Sequence, residues 1–101
     1  MKIRWTDPAQ TDLLDICEYI ARSDPAAAER VGGRVLAAVQ ALAAKPRLGR
    51  PGRVLGTREL AIPRLPYVVI YRIAESAHSP GGQVEVLRVL HGARRWPAAS
   101  R

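Results

Sequence analysis

The chain has 101 residues, the length of one compact domain, and its 48% apolar and 25% charged residues are ordinary for a globular protein. It contains no phenylalanine and no stretch approaching the ~20 apolar residues that a membrane-spanning helix needs. The opening residues Met1 to Trp5 lack the apolar core of a secretory signal, so we expect a cytoplasmic protein with no membrane partner. The single cysteine, Cys17, falls in an apolar helical pattern and is predicted to be a core thiol.

The net charge of +7 is concentrated in the second half of the chain. Residues 1–44 carry five basic and six acidic side chains, whereas residues 45–101 carry eleven basic and three acidic ones. Fourteen of the sixteen basic residues are arginine, whose planar guanidinium suits phosphate and carboxylate groups. A well-solvated arginine-rich surface would explain the arginine content, but it explains poorly why the positive charge lies mostly in the second half of the chain.

The first half of the chain predicts a short strand over residues 2–5 and then two helices. Asp7-Pro8 and Asp24-Pro25 each combine an N-cap residue with proline at the first helical position. Apolar residues follow both signals at helical spacing, and the second helix must end before Pro46. Since only Ser23 and Asp24 separate the helices, they are predicted to form an antiparallel hairpin.

The second half of the chain predicts strands. Residues 46–56 are dense in Gly, Pro and Arg and predict a loop; strands are predicted over 57–62, 67–73 and 83–90, with a turn over 74–82. His78 would lie solvated in that turn. The predicted fold is α+β in the order β-α-α-β-β-β, with the helical hairpin packed on one face of a mainly antiparallel sheet.

Three predicted strands each carry an arginine beside apolar neighbours: Arg58, Arg72 and Arg88. Each could simply extend its head into water over a packed stem. Together with His91 and with Arg50 and Arg53 in the preceding loop, however, they predict a concave basic site.

Such a site could cleave RNA, because attack by the ribose 2′-hydroxyl needs a base, an acid and fixed positive charge on the phosphate. Glu59 and His91 are the candidate proton carriers, and Arg58, Arg72 and Arg88 would stabilise charge. Alternatively, Glu59 pairs with a nearby arginine and His91 is an ordinary strand-end residue. No metal-ligand cluster or phosphate-binding glycine loop is present in the sequence, so we expect neither metal nor cofactor.

Three segments of the chain resemble the RelE/ParE superfamily of bacterial toxins, the toxin halves of type II toxin-antitoxin pairs. They are Gly56-Thr57-Arg58-Glu59-Leu60, Tyr67-Val68-Val69-Ile70-Tyr71-Arg72 and Val86-Leu87-Arg88-Val89-Leu90-His91-Gly92-Ala93-Arg94. The resemblance spans residues 3 to about 97 and implies the same fold as the periodicity. It also implies a surface that serves both target and antitoxin, for which we expect the following residues: Arg50, Arg53, Arg94, Arg95 and Trp96.

The superfamily includes RelE-like members that cleave mRNA at the ribosome and ParE-like members that poison DNA gyrase. Gly92 stands where some nuclease members carry tyrosine, and the central loop offers arginine rather than lysine. These features and the long helical hairpin favour the ParE-like branch, with the mRNA endoribonuclease as the alternative.

Both branches imply a cognate antitoxin whose acidic or amphipathic segment folds on the toxin, with the groove of the helical hairpin as an apolar seat. A small basic nucleic-acid-binding module without toxicity is the third hypothesis. It predicts binding to generic DNA or RNA that weakens steeply with salt.

Overall fold

The computed structural model describes residues 1–76, 79–92 and 96 of the chain. The helices are α1 (Asp7–Ala21) and α2 (Pro25–Ala41), and the strands are β1 (Lys2–Trp5), β2 (Arg50–Pro51), β3 (Arg58–Ala61), β4 (Tyr67–Ser76) and β5 (Ser79–His91). The strands form one sheet in the order β1-β5-β4-β3-β2, in which only β1 and β5 pair in parallel. The helical hairpin packs on one face of this mostly antiparallel sheet, so the predicted fold is confirmed.

The helices begin at two different kinds of cap. Asp24 caps α2 as predicted, because its Oδ1 accepts from the backbone N–H of Ala27 at 3.0 Å. The predicted cap Asp7 of α1 is wrong by one residue: Asp7 is the first helical residue, and the Thr6 side chain accepts from Ala9 N at 3.4 Å. Both Thr and Asp are good caps, so composition alone could not choose between neighbouring positions.

The strands of the second half are longer than the periodicity predicted. β4 and β5 form a hairpin whose pairing extends to Ser76 and Ser79, so the turn predicted over residues 74–82 is wrong at both ends. Weak strand formers such as Ala74 join β4 because a partner strand is already aligned beside them. The two-residue strand β2 was predicted as loop, and it exists only through its pairing with β3.

The core lies between the helices and the sheet. Its largest fully buried side chains are Tyr71 and Leu42, surrounded by valines from α2, β4 and β5. With no phenylalanine in the chain, Tyr71 is the large ring of this core, and its polar end therefore needs buried partners. Within the described residues, neither helix is long and apolar enough to cross a membrane.

Candidate functional site

The segment between α2 and β3 is tied to the sheet by the Tyr71 hydroxyl. This hydroxyl accepts from the backbone N–H of Gly49 at 2.9 Å and donates to the carbonyl of Pro46 at 2.7 Å. A Cβ at position 49 would lie 2.8 Å from the Glu59 carbonyl and from the Tyr71 ring, so only glycine fits without a shift. The arginines that follow Gly49 are therefore carried on an anchored segment.

Glu59 organises two of those arginines. Its carboxylate accepts from Arg50 Nη2 at 3.3 Å and from the backbone N–H of Arg53 at 3.1 Å. The Glu59 side chain is 16% exposed, whereas that of Arg50 is 79% exposed. The carboxylate is thus held inside the cluster while the Arg50 guanidinium faces solvent.

These residues open onto a small cavity of about 90 Å³ on the sheet face opposite the helices, which we call the basic pocket. Its lining residues are Arg50, Arg53, Glu59, Val68, Ile70, Leu90, His91, Gly92 and Trp96. The Tyr67 ring meets the His91 ring edge to face, with centroids 5.9 Å apart. The pocket is therefore lined by basic, acidic and aromatic residues together with the apolar Val68, Ile70 and Leu90.

Five of the sequence-predicted site residues meet at this pocket: Arg50, Arg53, Glu59, His91 and Trp96. The predicted convergence of the three strand arginines with them is wrong. Arg58 pairs with Tyr71 across β3 and β4, so it shares the helix-facing side of Tyr71. Arg72 is the next residue along β4 and points to the other side, because successive strand side chains alternate.

Arg58 contacts the anchored segment and does not line the basic pocket. Its Nε donates to the Gly49 carbonyl at 2.9 Å and its Nη2 to the Arg47 carbonyl at 3.3 Å. The guanidinium therefore donates hydrogen bonds to backbone carbonyl groups of the segment that follows α2, which is a structural role.

Arg72 lies in a row of charges on the open face of the sheet. Its Nε donates to Glu85 Oε1 at 2.6 Å, and Arg4 and Gln83 reach the other oxygen, Oε2, at 3.5 and 3.0 Å. The hydrogen bond from Arg72 lowers the pKa of Glu85 from its ordinary value, partly opposed by burial and assisted by Gln83 and Arg4. Glu85 is thus a buried anion that two arginines hold ionised.

Arg88 is held at the edge of the sheet by Asp12 of α1. Its Nε and Nη2 donate to the two carboxylate oxygens at 2.7 and 2.9 Å, and Val89 N donates to Asp12 Oδ2 at 2.9 Å. This bidentate pair raises the pKa of Arg88 above its ordinary value. β1 pairs with β5 only as far as Val86, so Asp12 covers the edge of β5 that continues past β1.

Sequence reasoning missed three residues that hold the predicted site residues or their segment in place: Asp12, Tyr71 and Glu85. Asp12 looked like an ordinary polar residue of an amphipathic helix, and Tyr71 like an ordinary core ring. Glu85 could have been suspected, because it is the one carboxylate in the apolar part of β5. Of the other candidates, His78, Arg94 and Arg95 lie outside the described residues.

A second surface lies on the helical hairpin. Two open apolar cavities of about 540 and 610 Å³ share Leu14, Cys17, Gly32 and Leu36, and together they form what we call the hairpin groove. Leu14 is 62% and Leu36 52% exposed. The helices approach closely here, since a Cβ on Gly32 would lie 3.2 Å from Cys17 Sγ. Cys17 is half-buried at this surface and not deep in the core as predicted.

No group of three or more metal-ligating side chains occurs among residues 1–76, 79–92 and 96. The chemistry that the described site offers is therefore that of its arginines, of Glu59, of His91 and of the Trp96 ring.

The fold is that of a small α+β protein in which a helical hairpin packs on a mostly antiparallel sheet, and comparison with known proteins assigns its family. Residues 3–96 match the model of the ParE toxin of the type II toxin-antitoxin system parDE. The chain belongs to the ParE toxin family, within the RelE/ParE superfamily, which confirms the resemblance seen in its sequence.

Two curated relatives are toxins by name. "Putative toxin Y4kP" of Sinorhizobium fredii is 45% identical over 96 residues, covering 95% of this chain and 93% of the relative. "Toxin RelE2" of Caulobacter vibrioides is 33% identical over 93 residues, covering 92% of this chain and 97% of the relative.

Solved structures show the same fold. A chain of the chromosomal ParDE system of P. aeruginosa superposes with a TM-score of 0.77 at 26% identity, covering 90% of this chain and 95% of that one. A YoeB/ParE toxin from Agrobacterium tumefaciens superposes with a TM-score of 0.58 at 20% identity, covering 90% and 98%, and supports the fold alone. The protein is therefore the toxin of a type II toxin-antitoxin system, and its family implies a cognate antitoxin.

Proposed function

We propose that this toxin inhibits growth by poisoning DNA gyrase in the cytoplasm, and that its basic pocket and the arginines around it contact the target. The observation that carries the proposal is the state of Glu59. Its carboxylate accepts from the Arg50 guanidinium on one oxygen and from the Arg53 backbone N–H on the other, so Glu59 holds the arginine loop in place, which supports a structural role over that of a general base.

The arrangement of the strand arginines supports the same proposal. A nuclease site needs its positive charge focused on one phosphate. Arg72 is paired with Glu85 and Arg88 with Asp12, while Arg58 donates to main-chain carbonyls. Each of the three guanidinium groups is engaged within the protein, and none of the three lines the basic pocket. Arg50, Arg53 and Trp96, with Arg94 and Arg95, remain the proposed contact residues for target or antitoxin.

The mRNA endoribonuclease is the second candidate function, with Arg58, Glu59, Arg72, Arg88 and His91 as its proposed catalytic residues. It is favoured by one observation: Glu59 and His91 line the same small pocket, where two proton carriers would be needed. The name of the Caulobacter relative, "Toxin RelE2", points in the same direction.

Parallel assays separate the two functions. The toxin is expressed without its antitoxin, while mRNA 5′ ends are mapped and purified gyrase is assayed for supercoiling and for trapped cleaved DNA. Loss of supercoiling with intact mRNA is the expected result. Codon-dependent mRNA cleavage with normal supercoiling would refute gyrase poisoning.

Single-residue variants sharpen this comparison. If no proton transfer is involved, Glu59→Gln and His91→Ala should each raise the toxin dose for growth arrest by no more than about tenfold, as for the loss of one contact residue. Loss of a general acid or base would instead reduce the rate of cleavage by roughly 10²- to 10⁴-fold. A drop of that size, with an unchanged unfolding midpoint, would support the nuclease.

We also propose that the antitoxin neutralises the toxin by binding in the hairpin groove. The groove is apolar along both helices, which suits the apolar face of an amphipathic helix. The positive charge elsewhere on the toxin suits the acidic segment expected of the antitoxin.

The groove is tested with Leu36→Glu, because Leu36 is half-exposed and a charge there need not disturb the core. The affinity for the cognate antitoxin should fall by about tenfold or more. Tyr19→Glu is the control, since Tyr19 is 71% exposed on α1 and is not among the residues lining either cavity. If Leu36→Glu and wild type bind the antitoxin with equal affinity, the antitoxin does not bind in the hairpin groove.

A further inference from the structure

The loop between β2 and β3 exposes a leucine almost completely to solvent, on a turn that hydrogen bonds close. Leu55 is 99% exposed, compared with 53% for Leu48 and 62% or less for the two groove leucines. Single exposed apolar residues are common on protein surfaces, so exposure alone carries little weight. Leu55 becomes a candidate contact residue because the backbone around it is held in place by hydrogen bonds.

The turn that presents Leu55 is closed by two hydrogen bonds from Thr57 to the Val54 carbonyl. Thr57 N donates to the Val54 carbonyl at 3.0 Å, and the Thr57 hydroxyl donates to the same carbonyl at 2.6 Å. Gly56 has φ of 87°, the left-handed conformation that a type II turn requires at its third position. A Cβ at Gly56 would meet nothing within 4 Å, so its backbone angle is the reason for glycine there.

The base of the loop is fastened as well. Gly52 N donates to the Thr57 carbonyl at 2.8 Å, and Arg53 N donates to the Glu59 carboxylate at 3.1 Å. Gly52 packs against Thr57 so closely that a Cβ there would lie 2.4 Å from the Thr57 hydroxyl. We call residues 52–57 the Leu55 turn. Because its backbone is already ordered, little conformational entropy would be lost when Leu55 is buried by a partner.

The surroundings of the Leu55 turn are basic. Arg47, Arg50 and Arg53 are exposed on the same segment. An apolar anchor flanked by arginines is complementary to an apolar recess bordered by carboxylates. A leucine has neither a ring to stack on a base nor a polar group to read one. These features favour an acidic protein surface over a nucleic acid.

We propose that the Leu55 turn is the anchor by which the toxin docks on its target protein, separate from the hairpin groove proposed for the antitoxin. This inference rests on the proposed function, since it takes gyrase as the target. Leu55 would fill an apolar recess on gyrase, and Arg50 and Arg53 would face carboxylates at its border.

The test compares Leu55→Ser with wild type in two binding measurements on purified full-length toxin. Affinity for gyrase should fall by about tenfold or more, as for an interface anchor. Affinity for the antitoxin should change by less than about twofold. Leu48→Ser is the matched control, because Leu48 is half-exposed on the same segment but outside the turn, and it should keep both affinities.

A second variant tests the charged border. Arg53→Glu should weaken gyrase binding further, and its affinity should decline less steeply with added salt than that of wild type, because Arg50 still faces a carboxylate. Since Leu55 is exposed, Leu55→Ser should unfold at the same temperature as wild type, which a melting curve verifies.

The outcomes separate the inference from the proposed function. If wild type binds and inhibits gyrase but Leu55→Ser does so equally well, the inference is overturned and the function stands. If wild type does not bind or inhibit gyrase, the proposed function fails. In that case a role for Leu55 in docking on some other target protein is kept only if Leu55→Ser abolishes growth arrest. If Leu55→Ser still arrests growth, the inference fails as well. An equal loss of affinity for a bare DNA duplex would overturn the choice of a protein partner.

Discussion

Gly49 and Tyr71, 22 residues apart in the chain, are joined by a hydrogen bond from the Gly49 backbone N–H to the Tyr71 hydroxyl at 2.9 Å. The same hydroxyl donates to the Pro46 carbonyl. One buried side chain of β4 therefore sets the path of the segment that carries Arg50, Arg53 and the Leu55 turn. The toxin's proposed contact surface depends on the core of the sheet.

Removing the Tyr71 hydroxyl should destabilise the protein without changing its packing. In Tyr71→Phe the ring remains, but the Gly49 N–H and the Pro46 carbonyl lose their partner in a buried place. Such a loss costs about 1–3 kcal/mol in the free energy of unfolding, which urea titration measures. Tyr19→Phe on exposed α1 should be neutral. An unchanged midpoint for Tyr71→Phe would show that this hydroxyl does not anchor the segment.

Two glycines should respond to alanine in opposite ways. At Gly49 a Cβ would stand 2.8 Å from backbone and ring atoms, so Gly49→Ala should destabilise by about 1–3 kcal/mol. At Gly33, inside α2, a Cβ meets nothing within 4 Å, so Gly33→Ala should stabilise by up to about 1 kcal/mol through helix propensity. Thermal unfolding of both variants beside wild type tests the pair. Shifts of the same sign would contradict this account of the glycines.

Stability should fall in acid partly through Glu85. Its pKa is lowered in the folded protein, so its contribution is complete above the pKa of the unfolded chain and is lost as pH falls through the folded value. We expect the unfolding free energies of wild type and Glu85→Gln to differ most at neutral pH. The gap should close as the pH drops below the ordinary carboxyl pKa of about 4.3. A gap that stays constant from pH 7 down to pH 3 would show that Glu85 titrates normally.

The pair of Arg88 and Asp12 should act on stability more than on target binding. Both side chains are largely covered, at 33% and 13% exposure, and Asp12 also accepts from Val89 N. Asp12→Ala should therefore cost about 2–4 kcal/mol, since it strands a cation and a backbone donor. Asp12→Asn, which keeps a polar acceptor, should cost less. Chemical unfolding ranks the variants, and an equal effect of the two would argue against the double role of Asp12.

Arg88→Lys distinguishes structure from function at the same place. Lysine keeps the charge but loses the two-pronged geometry, so some stability should be lost while gyrase binding by the folded fraction stays unchanged. Arg34→Lys, on the exposed surface of α2, is the control. If Arg88→Lys folds but binds the target about tenfold more weakly, Arg88 contributes to target binding and its role is not only structural.

The amino-acid sequence by itself determined the helical hairpin, the order of the main strands and the family. These features rest on local signals: the Asp24-Pro25 cap, the change of apolar period after Pro46, and motifs such as those around Arg58 and His91. It also indicated that Arg50, Arg53, Glu59 and His91 belong near one another, which the pocket shows.

The faces of the strand arginines were decided only by the tertiary structure. β4 is apolar at nearly every position from Tyr67 to Ile73, so alternation could not tell which side met the helices. The pairing of Arg58 with Tyr71 settles that side, and Arg88, which pairs with Ile70 in the sheet, finds its partner Asp12 on α1. Register and long-range pairing join residues far apart in the chain, and a local pattern carries no information about them.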